Sequence, residues 1–373
     1  MLVVAKTARF QIDIRSPSDP ASLGPAKAQP GGAKGFDFLM RLVNMDTGTG
    51  GSSVHQIYNF PRGISISKTL SRWPSDFENQ RHNEDDIKVY QDIHEDEMGG
   101  VEEDIDGYGI AGKLWEAAID LGTYMRPSSK VEMDPPCSFT SRNEKSSRTV
   151  LELGAGTGAA GLFAAANMDS ETGDLVILTD LEEVVPLLKK NMQFDLDRRK
   201  TKGLKRAEVW ARAVPWGDKA SWEGLRDELG VSLVGPEGGR EVTHILCSDV
   251  VYFPALLAPL LRTLIWITED FKGAEILISC RIREMAKEAP FWHAFGAWFA
   301  FEPVIWRSTD SNIGDGVWKR FGAQDETRIF VGHRRAETLG RNNKIGNMSD
   351  IDLLTTWRHE SFEMILLMEM EAD

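Results

Sequence analysis

The run Val150-Leu151-Glu152-Leu153-Gly154-Ala155-Gly156-Thr157-Gly158 constrains this chain more than any other stretch. An apolar segment ends in an acid, and three glycines follow at alternate positions. Such a pattern turns a buried parallel strand sharply into a helix. It leaves bare main chain for a ligand to approach, because glycine has no Cβ. The next residues, AAGLFAAANM over 159–168, read as a small-residue helix lying close to the sheet.

A strand, glycine turn and helix of this kind can hold a dinucleotide or S-adenosylmethionine, or can be a structural turn alone. Gly156, Gly158 and Gly161 satisfy the dinucleotide fingerprint G-x-G-x-x-G. In a chain with 34 glycines that match carries little weight. The register of the acid separates the readings. Glu152 stands two positions before the first glycine, where a carboxylate would repel a pyrophosphate but accept a ligand bearing an ammonium and a sulfonium. The segment resembles the first motif of seven-strand methyltransferases at every position. A nicotinamide-dependent dehydrogenase is the weaker alternative.

The chain has 373 residues, 42% hydrophobic and 27% charged, which suits one large soluble domain or two small ones. A net charge of −14 sets the overall field against nucleic acid, so no nucleic-acid partner is expected. Asp197 to Arg206 (DRRKTKGLKR) forms a basic cluster and reads as a solvated loop between a helix and a strand. The acidic balance fits a basic protein partner better. Cys137, Cys247 and Cys280 are widely spaced and show no metal-ligand or disulfide pattern, so no metal is expected. Two of them fall in predicted strands as buried free thiols, in keeping with a reducing compartment. The N-terminal apolar run is too short for a signal peptide, and no 18-residue apolar run occurs. A cytoplasmic, membrane-free monomer is the expectation.

Residues 1–107 read as a partly flexible extension with a little β structure, in runs at 10–14, 36–42, 63–67 and 87–90. Pro/Gly/Ser-rich stretches lie at 16–35 and 45–53, and an acidic, exposed one at 92–106. Residues 108–335 alternate strand and helix, which argues for an α/β, doubly wound sheet covered on both faces. A helix over 113–125 leads in, and 135–147 looks like an insertion. Strands are predicted at 149–153, 175–179, 207–212, 244–248 and 274–280, with closing strands at 301–306 and 327–332. Helices are predicted at 182–195, 254–268 and 291–299. The tail, 336–373, contains an apolar run at 362–368 that reads as a packed helix or a mobile segment.

In an open doubly wound sheet, ligands sit beyond the carboxyl ends of the strands. Glu152 and the glycines end strand 1. Asp180 ends strand 2, where a carboxylate can accept both ribose hydroxyls. Trp216 follows strand 3 and could wall an adenine, and Asp249 follows strand 4. Each has a plainer reading: Asp180 and Asp249 as helix caps, Trp216 as packing. Their shared placement in strand order favours the site.

Asp249-Val250-Val251-Tyr252 resembles the D-x-x-Y motif after strand 4 in the family-16 seven-strand protein-lysine methyltransferases. Gly112-Lys113-Leu114-Trp115-Glu116-Ala117-Ala118 resembles the tryptophan-centred helix ahead of the glycine motif in that group, and Trp216-Gly217 its pair after strand 3. The likeness covers about residues 108–335. It implies a seven-stranded, Rossmann-like methyltransferase sheet, S-adenosylmethionine as cofactor, and transfer to a lysine of a protein substrate. It places Trp115, Gly154, Ala155, Gly156, Asp180, Trp216 and Ser248 on the cofactor, with Glu152 and Gly158 from the glycine motif. Asp249 and Tyr252 are then the catalytic candidates, Asp249 orienting the incoming ammonium and Tyr252 shaping its channel. Serine-aspartate in place of Asn-Pro-Pro-Tyr argues against amide or nucleobase acceptors. A small-molecule, nicotinamide-like N-methyltransferase and a catalytically silent scaffold stay open. Members of the group commonly modify translation factors or chaperones, which makes elongation factor 1-alpha the leading substrate expectation.

Overall fold

The computed structural model describes the backbone at residues 2–3 and 12–13, then residues 101–127, 129–140, 147–230, 239–309, 316–320, 327–341 and 345–365. The expected strands at 36–42, 63–67 and 87–90, the stretches at 16–35 and 45–53, and the tail beyond residue 365 lie outside the described residues. The chain divides into two compact units. One comprises Met1–His82 with Asp104–Gly112, the other Asn83–Glu103 with Lys113–Asp373. Within the first, Leu2–Val3 pairs antiparallel with Ile12–Asp13. A helical turn, Ile105–Tyr108, is capped by the Asp104 carboxylate.

The second unit carries a seven-stranded sheet. Its strands are β1 (Thr149–Leu153), β2 (Leu175–Asp180), β3 (Glu208–Ala213), β4 (His244–Ser248), β5 (Glu275–Arg281), β6 (Phe299–Pro303) and β7 (Thr327–Arg334). They lie in the order β3-β2-β1-β4-β5-β7-β6. All neighbouring pairs are parallel except those of β7, which runs antiparallel to β5 and β6. The expected α/β doubly wound sheet is therefore present. Its strand order reverses between β1 and β4, the position where such sheets open a crevice at their carboxyl ends.

Alternation along each strand sends neighbouring side chains to opposite faces. Leu151 and Leu153, with Ile245, Cys247, Ile276 and Ile278, join the large apolar cluster under helices α4 (Lys219–Glu228), α5 (Pro254–Asp270) and α6 (Met285–Trp298). Val150 and Glu152 point the other way, toward α2 (Ala159–Ala166), which packs on α1 (Glu116–Met125). Free, buried Cys137, Cys247 and Cys280 match the expected thiols.

Two sequence expectations change. The basic cluster 197–206 is mostly helix, because α3 (Val185–Lys202) runs two turns further than its apolar pattern suggests. Fully buried Asp195 accounts for it: Arg199 donates to both carboxylate oxygens at 2.9 and 3.0 Å, and Arg206 adds a contact at 3.6 Å. A buried carboxylate needs paired cations, and these charges on the inner side of a helix read like a loop. The strand expected at 301–306 is two strands in two sheets, broken at Val304. Phe299–Pro303 closes the main sheet, whereas Ile305–Ser308 lies between Val131–Asp134 and Lys319–Arg320 in a small antiparallel sheet. Val131–Asp134 falls just ahead of the expected insertion, too short to show a period.

Beyond β7 the chain returns to the core. Helix α7 (Asp350–Thr356) packs on α5 and α6, burying Leu353. Phe362 is buried with its ring stacked on Trp292, centroids 4.9 Å apart at 13°. No helix among the described residues is long and apolar enough to cross a membrane. Phe362→Ala would empty an aromatic pocket and is expected to lower stability by about 3–5 kcal/mol. Equilibrium denaturant unfolding measures this, and a change near zero would contradict the packing of the tail.

Candidate active site

The glycine turn is held from two sides. Gly156 N–H donates to Asp180 Oδ2 at 2.8 Å, and the other oxygen of that carboxylate accepts from Leu181 N–H at 2.7 Å. Gly161 N–H, in the first turn of α2, donates to Glu152 Oε2 at 2.9 Å. A Cβ on Gly161 would lie 2.6 Å from that oxygen and 2.2 Å from Leu178 Cδ2, so the helix comes this close only through glycine. Ala155 N–H donates to Thr179 O, tying the turn to β2. From α3, Asn191 Nδ2 donates to Thr157 O at 2.9 Å.

Gly154 has φ +64°, and an added Cβ would fall 2.4 Å from Trp216 Cζ2. The indole after β3 thus lies directly over the bare α-carbon after β1. Val250 Cγ1 is the next neighbour, so residues following β1, β3 and β4 meet at one point. Gly217 N–H anchors the tryptophan turn on Thr263 Oγ1 of α5 at 2.8 Å.

Asp249 is the one non-glycine residue among those described with positive φ, at 55°. Its N–H donates to Ser279 O at 2.7 Å, which turns the chain at the end of β4 and aims the carboxylate across β5. There Arg283 grips it with a fork: Nη1 to Oδ1 at 2.8 Å and Nη2 to Oδ2 at 2.5 Å. The backbone N–H groups of Arg283 and Glu284 donate to Oε1 of buried Glu288. Arg283 also lies over the Trp115 ring, 5.4 Å from its centroid, and Lys113 Nζ lies 4.4 Å from the same centroid. Burial lowers Lys113 to about 8, against the opposing pull of Glu116, Glu103 and Asp249.

Neither capping alternative accounts for the two aspartates. Asp180 accepts one N–H on each oxygen, from the glycine turn and from Leu181, while α3 starts five residues later, at Val185. Helix α5 has Phe253, not Asp249, at its N-cap position, and no side chain caps it. Tyr252, three residues after Asp249, is half-buried. Burial raises its hydroxyl, and both Asp180 and Asp249 raise it further, so the carboxylates after β2 and β4 act on one phenol. Ser248 ends β4 beside Ser279. Glu152 is the exception among the expected residues: its carboxylate points under α2 and is nearly sealed, at 1% exposure. Arg283 and Lys113 were not anticipated. Arg283 lies two residues past β5, so the same strand-end rule reaches it, although Arg281-Ile-Arg283 has no motif of its own.

The strand ends that carry this cluster fall inside a stretch, residues 94–295, that matches the lysine methyltransferase family model over more than half of the chain. The chain belongs to the lysine methyltransferase family. It is 30% identical over 181 residues to protein-lysine N-methyltransferase EFM6 of Saccharomyces cerevisiae, covering 48% of this chain and 66% of that one. Protein N-lysine methyltransferase METTL21A of Danio rerio is 27% identical over 175 residues, with 47% and 62% covered. Protein-lysine N-methyltransferase EFM3 of Chaetomium thermophilum is 25% identical over 197 residues, with 52% and 49% covered. The matched region spans less than two thirds of each of these relatives.

S-adenosylmethionine, the methyl donor this family implies, suits the donor set around the turn. Burial pushes the Glu152 carboxyl up to about 8 and Asp180 up to about 6; neighbouring carboxylates raise both, and only backbone N–H groups oppose. A cationic ligand beside them would relieve part of that strain. The bare main chain at Gly154 and the Trp216 indole add a flat apolar surface.

Two outcomes follow. Gly154→Ala strains a left-handed position by about 1–3 kcal/mol and pushes on Trp216, so calorimetry should show weakened S-adenosylmethionine binding; wild-type affinity would contradict this. Glu152 keeps its proton in the folded chain between about pH 4.5 and 8, where the unfolded chain has lost it. Stability therefore falls as pH rises through that window, by up to ~1.4 kcal/mol per unit. Glu152→Gln, which retains an acceptor for Gly161, should flatten that slope in denaturant titrations from pH 5 to 8. An unchanged slope would contradict the burial of this acid.

Proposed function

We propose that this chain is an S-adenosylmethionine-dependent protein-lysine N-methyltransferase acting on a translation factor, with elongation factor 1-alpha as the leading acceptor. The observation that carries the reading is the meeting of Gly154, Trp216 and Val250 beyond β1, β3 and β4, which brings the glycine turn against the residue next to Asp249. Asp180 keeps outward lone pairs for the ribose hydroxyls. Trp115 and Trp216 wall the donor, Gly154, Ala155, Gly156 and Gly158 line it with main chain, and Ser248 borders it. Glu152 acts from beneath, holding α2 and the turn. The net charge of −14 favours a basic partner surface. A monomer working in the cytoplasm is part of the same reading.

When bound, the cofactor supplies a sulfonium methyl, an electrophile that a neutral amine attacks in line. The residues here have three tasks: keep water out, align the lysine nitrogen, and let its proton leave before transfer. Asp249 accepts a hydrogen bond from that nitrogen and sets its direction, and Tyr252 narrows the approach. The lost proton passes to solvent, and no residue is assigned as general base.

Asp249→Ala is expected to reduce methyl transfer on the order of 100-fold or more through misalignment, while S-adenosylmethionine affinity falls far less. Incorporation of label from S-adenosylmethionine into proteins of a lysate lacking this chain reads the first effect, and calorimetry the second. Retained turnover would remove Asp249 from the mechanism. Label found only in small molecules would replace the protein acceptor. For the substrate, mass spectrometry of elongation factor 1-alpha from cells without this chain should show a missing methyl-lysine; an unchanged pattern would discard that acceptor.

A further inference from the structure

An acceptor site for lysine faces an electrostatic conflict. A carboxylate that attracts the side chain also stabilises its ammonium form, which has no lone pair and cannot attack. An opposite charge nearby typically moves such a pKa by about 1–3 units. Lysine starts near 10.4 in water, so an unpaired aspartate at the acceptor nitrogen would hold it inert. In this protein the aspartate is paired in advance.

Resting on the lysine-methyltransferase reading above, we propose that Arg283 is a positioning residue for the acceptor. By neutralising Asp249 from the side, it lets the carboxylate take a hydrogen bond from a neutral amine without trapping an ammonium ion. The fork engages both oxygens of Asp249; Oδ1 also accepts from Arg281 N–H at 3.4 Å, and Oδ2 keeps a further lone pair for the amine. The arrangement is built rather than incidental. The Asp249 side chain is 5% exposed and Arg283 32%, so the pair is largely out of water. Asp249 is held in a left-handed backbone conformation that aims it at Arg283. Arg283 is fixed from behind by Glu288, through two N–H donors, and from above by the Trp115 ring.

The other charges around the pair are of both signs. Lys113, ahead of α1, brings a second cation over the Trp115 ring, under the pull of Glu116, Glu103 and Asp249. Glu288 on α6 faces the Arg283 side, and Tyr252 and Cys280, next to Asp249, are both raised by burial and so stay neutral. Asp180 acts on Tyr252 from the donor side. With Arg283 in place, the carboxylate that touches the acceptor carries a compensated charge. Without it, that carboxylate becomes the strongest ammonium site in the cleft.

The experiment compares wild type, Arg283→Ala and Arg283→Lys. Initial rates of label transfer from S-adenosylmethionine into the proteins of a lysate lacking this chain are followed from pH 6 to 10, at several lysate concentrations. Arg283→Ala should move the midpoint of the rising limb of the maximal rate upward by about 1–3 pH units, with half-saturation at equal or lower lysate concentration. Arg283→Lys, which restores a charge without the fork, should recover part of the shift. Calorimetric affinity for S-adenosylmethionine should stay within a few-fold, and this also shows that the variants fold. An unshifted midpoint, with rates lowered by one factor at every pH, would reduce Arg283 to a structural role and overturn the proposal. A faster enzyme at neutral pH would mean that Arg283 merely plugs the site, and would overturn it as well. Absence of any label with wild type is a different failure, that of the lysine-methyltransferase reading itself.

Discussion

Two hydrogen bonds from backbone N–H groups to carboxylates hold this site together: Gly156 to Asp180, and Gly161 to Glu152. They fix the turn after β1 against β2 on one side and against α2 on the other. Gly154 is then presented flat beneath Trp216, and the carboxyl edge of the sheet is organised around that contact. Both acids are held in low dielectric with N–H donors as their favourable partners. Burial drives their protonation equilibria toward neutral pH. A positively charged ligand is the natural complement of Asp180, which is not sealed under α2.

The third carboxylate of the cleft is treated in the opposite way. Asp249 meets a guanidinium in fork geometry, whereas the shifts of Glu152 and Asp180 arise from burial and neighbouring acids. The cleft therefore divides electrostatically. Its donor half favours a cation, and its acceptor half has already satisfied its anion. That division suits a reaction between a sulfonium and an amine that must arrive without its proton. Burial, Asp180 and Asp249 all raise the Tyr252 hydroxyl.

Much of this architecture is legible in the amino-acid order because strand ends have strong local signatures. The bounds of β1 and β4 coincide with those read from their apolar runs, and β2, β3 and β5 differ by a residue or so. Glu152, Asp180, Trp216 and Asp249 all sit at strand ends, so a rule about sheet topology finds them without knowledge of contacts. What escapes depends on tertiary pairing. The extra turns of α3 are justified only by Asp195, buried with its arginines. The break at Val304 depends on which sheet offers a partner to each half. Glu152 lies within the recognised motif, but strand alternation decides that it faces α2. Arg283 is two residues beyond β5 with an ordinary composition around it, and its role emerges only once Asp249 is seen to turn toward it.

The central claim is that a cleft of desolvated carboxylates and bare main chain grips a cationic methyl donor. Isothermal titration of the intact protein with S-adenosylmethionine at pH 6, repeated in two buffers of different ionisation enthalpy, tests it most directly. The account predicts saturable binding accompanied by proton release, as Asp180 ionises beside the incoming charge. No heat with S-adenosylmethionine, together with tight association of a nicotinamide dinucleotide, would contradict it.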